Sequence, residues 1–237
     1  MDNYDEHFLD SNIVIGSILR WNERHQDSYR YFNYDYNKNI SKRVYDECRS
    51  VFVNNEMWTL RFIKELNDKF GKKLVMNPKS KLNRFKDEFI RNMCAYDPYD
   101  CYNIEKIISN FVKDCEGDLL QIMINGSNYK SFRGIITSTF QKALKSLDNI
   151  CHGEYATVNT YAKCPEEYSY DAPAQYSQLS KLTVHKSDRL ILLDSHYFRT
   201  MKIRKDMAFI TADNEILDNK DKIEDILKGI HLFHPKT

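Results

Sequence analysis

His7-Phe8-Leu9-Asp10-Ser11-Asn12 near the start of the chain and Met207-Ala208-Phe209-Ile210-Thr211-Ala212-Asp213 near its end share one plan: a short apolar run that stops at a carboxylate. The first is followed by Ile13, Val14, Ile18, Leu19 and Trp21 at helical spacing, so it reads as strand, acid, helix. The second is an almost continuous apolar strand, the pattern of a strand covered on both faces in a parallel sheet. The tail adds a helix at Ile223, Ile226 and Leu227, a stop at Gly229 and a last strand Ile230-His231-Leu232-Phe233 before Pro235. Strand and helix therefore alternate at both ends of the chain. The expected fold class is α/β, a three-layer α/β/α arrangement around a central, mostly parallel sheet with right-handed crossovers.

Between these ends the pattern changes. After a Tyr-rich connection (Tyr29, Tyr31, Tyr34, Tyr36), Asn39-Ile40-Ser41 offers a brief extended piece and an N-cap for a helix with Val44, Cys48, Val51 and Phe52 on one face. From about Trp58 to Tyr161 the spacing is mostly helical and strands hardly appear. Cys164 to Gln178 reads as a loop, because Pro165 and Pro173 each remove a donor and bias the preceding residue away from helix. Ser187-Asp188 then caps a helix carrying Leu190, Ile191, Leu193, Tyr197 and Phe198.

Composition bounds the function. With Lys+Arg 35 against Asp+Glu 34, the formal charge of +1 excludes a protein that grips duplex DNA by bulk charge, so any contact with nucleic acid is local. Hydrophobic residues at 42% supply a core. No apolar stretch reaches the roughly 18 residues of a membrane span, and Met1 to Glu6 lacks the basic-then-apolar plan of a leader, so a cytoplasmic protein with no membrane partner is expected. The six cysteines (Cys48, Cys94, Cys101, Cys115, Cys151, Cys164) form no Cys-x-x-Cys pair, which favours free thiols in a reducing compartment over a zinc site.

In an open parallel sheet, ligands bind beyond the carboxyl ends of the strands, where loops and helix N-termini converge. Asp10 and Asp213 both stand at such ends. Glu47 is a third candidate: it falls less than two turns into the helix that follows Ser41, flanked by apolar Val44 and Cys48, where solvation alone explains an acid poorly. Asp46 is its solvated neighbour.

In order and context these residues resemble the PIN-domain nucleases, a family that includes toxin ribonucleases of toxin–antitoxin systems. Phe8 to Asn12 is similar to the family's opening strand and first acid, Ile40 to Glu47 to its second segment with a helical Glu, Phe209 to Asp213 to its late strand with a Thr and an acid, and Gly229 to Pro235 to its closing strand. About half the chain is covered. The resemblance implies a further acid at the start of the helix before the Thr-x-Asp strand, which favours Asp188, where free N–H groups and the helix dipole support a carboxylate. Asp194 is the rival, nearer Asp213 in sequence. Six residues correspond to about 240° around a helix beyond one full turn, so the two cannot share a face. The resemblance also implies a single PIN-like domain over residues 1–237, with residues 54–180 as a helical insertion that compact members lack.

Three or four convergent carboxylates are hard oxygen donors, suited to Mg²⁺ or Mn²⁺ rather than zinc, and costly to hold together without a cation. The expected function is a metal-dependent endoribonuclease acting on single-stranded or structured RNA through Asp10, Glu47, Asp213 and Asp188 or Asp194. A homodimer and an antitoxin-like inhibitor are further partners the resemblance implies. Ser11, Asn12 and Thr211 are placed to hold the carboxylates by hydrogen bonds or to cap turns. Arg20, Arg43, Arg49, Lys186 and Arg189 are placed to take phosphates or to be solvated, and the Tyr-rich stretches to stack bases or to pack against the helical insertion. The rival readings are a non-catalytic PIN-like module that binds RNA or protein, and a structure-specific DNA nuclease.

Overall fold

Strand β1 spans Glu6–Leu9 in the computed structural model, and three of its four residues are fully buried. The structure describes residues 4–19, 24–71, 75–98, 101–125, 128–154, 156–163 and 173–236. Arg20, Trp21 and Tyr155, together with the first part of the proline-containing loop from Cys164, lie outside them. The chain forms two compact units, one made of Met1–Arg49 and Lys145–Thr237, the other of Ser50–Leu144.

The first unit is built on a five-stranded, all-parallel sheet in the order β3-β2-β1-β4-β5, with β2 at Asn37–Ser41, β3 at Val158–Tyr161, β4 at Met207–Ile210 and β5 at Ile230–Phe233. The α/β class expected from the alternating ends is the class observed. β4 is buried at every residue, as a strand covered on both faces must be. β1 is central, and Asp10 caps the helix that leaves it: α1 (Ser11–Ile18) begins with the Ser11 N–H donating to the Asp10 carboxylate. Helix α2 (His25–Phe32) packs on α1 where Gly16 lacks a side chain, since a Cβ there would stand 2.5 Å from Ser28 Oγ. The Tyr-rich connection is therefore partly helical. Tyr31, expected either to stack bases or to pack on the helical insertion, is buried against β1 instead, its hydroxyl 2.6 Å from His7 Nδ1.

Helix α3 (Lys42–Phe70) starts directly after β2, with Ser41 Oγ accepting from the Val44 N–H at 3.3 Å, and runs on into the second unit. There it is joined by α4 (Pro78–Tyr96), α5 (Cys101–Asp114), α6 (Glu116–Asn125) and the first part of α7 (Tyr129–His152). The core of this unit is aromatic: the Phe62 ring lies 5.2, 5.1 and 6.2 Å from those of Phe85, Phe89 and Phe111. The helical content matches the spacing, but the boundaries do not. The helical unit ends at Leu144, whereas 54–180 was expected, and Val158–Tyr161 belongs to the sheet, paired with β2. An edge strand reading Val-Asn-Thr-Tyr buries only Val158 fully, so it carries no apolar alternation to find. The cysteines need a second correction: Cys94 and Cys101 form a disulfide between the end of α4 and the start of α5, while Cys48, Cys115 and Cys151 are free and buried.

After β3 come α8 (Pro173–Leu179), α9 (Lys186–Phe198) and a π-helical turn at Arg199–Ile203, and after β4 come α10 (Asn214–Asp218) and α11 (Lys220–Ile226). Gly229 enters β5 at φ +82°, and the Arg199 guanidinium lies where a side chain would stand. Among the described residues, no helix is long and apolar enough to cross a membrane.

Candidate functional site

β1 pairs with β2 on one side and with β4 on the other; the chain runs outward from β1 to β2 and β3, then crosses back from β3 to β4 on the other side of β1. The boundary between β1 and β4 is thus the switch point of the sheet, where loops part and leave a crevice. Leu9 is in register with Ile210, so Asp10 and Thr211 emerge side by side, with the Asp10 N–H donating to the Ile210 carbonyl at 3.0 Å. Two apolar strands ending at the same level deliver both acidic loops to one place.

The loops are tied together through the Asp10 carboxylate. Oδ1 accepts from the Ser11 N–H at 2.7 Å, and Oδ2 accepts from Asn12 Nδ2 and from the Thr211 hydroxyl, each at 2.6 Å. Thr211 Oγ1 accepts from the Asp213 N–H at 3.0 Å, and Asn12 Oδ1 accepts from the Ala212 N–H at 3.1 Å. Ser11, Asn12 and Thr211 therefore orient the acid as well as shape the turns. Asp213 caps α10, accepting from the Glu215 N–H at 2.7 Å.

The electrostatics join four acids into one group. Burial pushes the Asp10 carboxyl up to about 7, against the Thr211 and Ser11 hydrogen bonds, and the charges of Asp188 and Asp213 raise it further. Glu47 is pushed up to about 7 by burial and by Asp10, partly offset by a hydrogen bond from Ser11 and the charges of His185 and Arg43. Asp188, in the first turn of α9, rises to about 6 through burial and the charges of Asp213 and Glu47, partly offset by Ser187 and His185. Carboxyls kept from water near like charges bind protons far above their ordinary range.

Asp194 stands elsewhere in this pattern. It is fully buried and takes the Arg43 Nε–H at 3.1 Å. Asp46, by contrast, is exposed and pairs with Lys42 one turn away at 2.7 Å. Of the other cations considered from sequence, Arg49 and Lys186 are exposed, and Arg189 is half-buried with Nε lacking a hydrogen-bond partner among the described residues. His185 is the residue the sequence reading missed: its Nδ1 lies 2.8 Å from Ser187 Oγ, which donates to Asp188 Oδ1 at 3.2 Å. The N-cap of α9 is His185, with no side-chain cap hydrogen bond, and not Ser187-Asp188 as the sequence suggests, so the helix begins two residues earlier and Asp188 lies in its first turn.

The donor set is one a hard divalent cation favours, all oxygen and no thiolate. Its raised affinity for protons is the cost that a cation would relieve. Among the described residues, however, no three His, Cys, Asp or Glu side chains are grouped tightly enough to hold one ion as they stand. Both Asp10 oxygens are already engaged by hydrogen bonds, and Asp213 Oδ1 is turned to its helix cap. Comparison with family models, with curated proteins and with solved structures returns no match to this chain.

Proposed function

We propose that Asp10, Glu47, Asp188 and Asp213 form a hydrolytic site for phosphodiester bonds, that the protein is a PIN-like, metal-dependent endoribonuclease, and that its cation is Mg²⁺ or Mn²⁺. The observation that carries the reading is Asp10: a fully buried carboxylate at the switch point of a parallel sheet, held by three hydrogen bonds and raised by two neighbouring acids. A protein with no use for such a group would not keep it there, because an acid withdrawn from water beside other acids destabilises the fold. The near-neutral charge of the chain favours RNA over a long duplex track of DNA.

A bound divalent ion would supply charge to the phosphodiester in the transition state and orient the attacking water. The residues supply the rest. Asp10, fixed by Ser11, Asn12 and Thr211, gives one oxygen donor a set position; Glu47 and Asp188 flank it electrostatically, and Asp213 adds negative charge from the N-cap of α10. With a carboxyl near 7, Glu47 is matched to accept the proton of the attacking water as the bond from phosphorus to the leaving oxygen breaks.

The test is cleavage of a labelled single-stranded oligoribonucleotide in Mn²⁺ or Mg²⁺. Wild type cleaves, Asp10→Asn loses the activity, and Asp46→Asn, with the same change of charge on an exposed face, keeps it. No cleavage by wild type with either ion, or equal rates for wild type and Asp10→Asn, overturns the assignment. One observation favours the rival reading, a non-catalytic PIN-like module binding RNA or protein: the acids do not stand as a closed ligand set among the described residues. A binding module predicts RNA affinity without any Mn²⁺ affinity.

A further inference from the structure

Asp194 and Arg43 make an unequal pair. The Asp194 side chain is 1% exposed and the Arg43 side chain 25%, with Nε 3.1 Å from Oδ2 across a separation of 151 residues. An acid taken fully out of water needs partners of good geometry, and one of them here is the guanidinium of a side chain that is itself partly open to solvent. Arg43 also stands one turn before Glu47 on α3, on the same face of the helix. Its positive charge acts on Glu47. Nε is the atom committed to Asp194, and a guanidinium carries four more N–H donors in a rigid fork matched to two oxygens of a phosphate.

We propose that Arg43 takes non-bridging oxygens of a phosphodiester in the bound RNA, and that Asp194 is the positioning residue that holds it there. The inference rests on the reading of the four acids as a hydrolytic site and assigns the two residues that orient its substrate. Asp194 is then not a ligand of the cation, although its distance from Asp213 in sequence suits that role. A guanidinium fixed by a buried acid loses less freedom on taking a phosphate than a solvated arginine does. That is why Arg43, rather than exposed Arg49 or Lys186, is singled out.

Anisotropy of a labelled single-stranded oligoribonucleotide, titrated in EDTA over a range of salt, tests this without cleavage or metal loading. Arg43→Met should weaken binding about tenfold and lower the slope of log K against log salt by about 0.7, the share of one phosphate on a single strand. Arg43→Lys should recover the slope but not the full affinity, since it restores charge without the fork. Asp194→Asn should weaken binding severalfold with Mn²⁺ affinity by calorimetry unchanged, and the double variant should bind no worse than Arg43→Met. A purely structural pair would move the melting temperature in all four variants and leave the salt slope alone. The inference is overturned if wild type binds no RNA, if Arg43→Met keeps the wild-type slope and affinity, or if Asp194→Asn abolishes Mn²⁺ binding. Should wild type neither bind Mn²⁺ nor cleave while Arg43→Met still loses affinity and slope, the hydrolytic reading fails and the phosphate contact stands. Should wild type cleave and Arg43→Met match it in affinity and slope, only the inference fails.

Discussion

The sheet unit and the helical unit bury different chemistry. In the sheet unit the interior holds His7, Asp10, Ser11, Lys38, Asn39, Asp194 and Thr211 among its apolar residues. In the helical unit, Thr59 is the one polar side chain so deeply buried among the described residues, and its hydroxyl donates to carbonyls of its own helix. Buried polar groups cost stability unless each finds a partner, so a unit assembled for packing alone excludes them. The helical unit comes close to that rule, its exceptions among the described residues being Asn55 Oδ1 and Trp58 Nε1, each buried without a hydrogen-bond partner. The sheet unit departs from it at the carboxyl ends of β1 and β4, and a departure of this kind points to function.

The contrast is testable through its strongest packing element first. Phe62→Ala removes the ring at the centre of the helical core and should cost about 3–5 kcal/mol, read from urea denaturation. A loss below about 1 kcal/mol would mean that this core is loosely packed and the contrast overstated.

The next effect is one of pH. Asp10, Glu47 and Asp188 are raised to about 7, about 7 and about 6 in the folded protein, so between their unfolded values and those values the native state binds more protons than the unfolded chain. Their destabilising contribution is absent below pH about 4 and complete above pH about 7. In the absence of divalent ions the melting temperature should therefore gain a falling component as pH rises through that window, and Asp10→Asn should flatten it. Parallel pH profiles for wild type and Asp10→Asn would remove the claim of a strained acid.

Smaller still is Thr211→Val, which takes the hydroxyl donor from the Asp10 carboxylate and should cost about 1–3 kcal/mol by denaturant unfolding at neutral pH. The smallest is Asp46→Asn: its pair with Lys42 is exposed, and the change should stay within about 0.5 kcal/mol.

What the sequence could show follows from the same contrast. β1 and β4 are legible because their apolar runs are unbroken and their ends carry acids. β3 is not, because an edge strand needs main-chain pairing with β2 more than apolar side chains. β2 is legible only from Asn39 to Ser41: Lys38 and Asn39 are buried polar residues held by the Tyr34 carbonyl for one and by Glu6 with the His7 and Asn37 carbonyls for the other, which an apolar pattern does not show. Asp10, Glu47 and Asp213 were placed by position relative to predicted strands, which is local information. The choice between Asp188 and Asp194 turned on contacts that sequence spacing does not encode. Asp188 sits among the coupled acids, while Asp194 finds Arg43 from the far side of the chain. The Cys94–Cys101 disulfide escaped for a similar reason, since its geometry depends on how α4 ends and α5 begins.

Calorimetric titration of Mn²⁺ into the metal-free protein at pH 7, in two buffers of different ionisation heat, tests the central claim most directly. With Asp10 and Glu47 near half-protonated at that pH, binding should release protons, seen as a buffer-dependent heat, and Asp10→Asn should weaken it at least tenfold while Asp46→Asn leaves it unchanged. No Mn²⁺ binding by wild type, or equal binding by wild type and Asp10→Asn, would contradict the account.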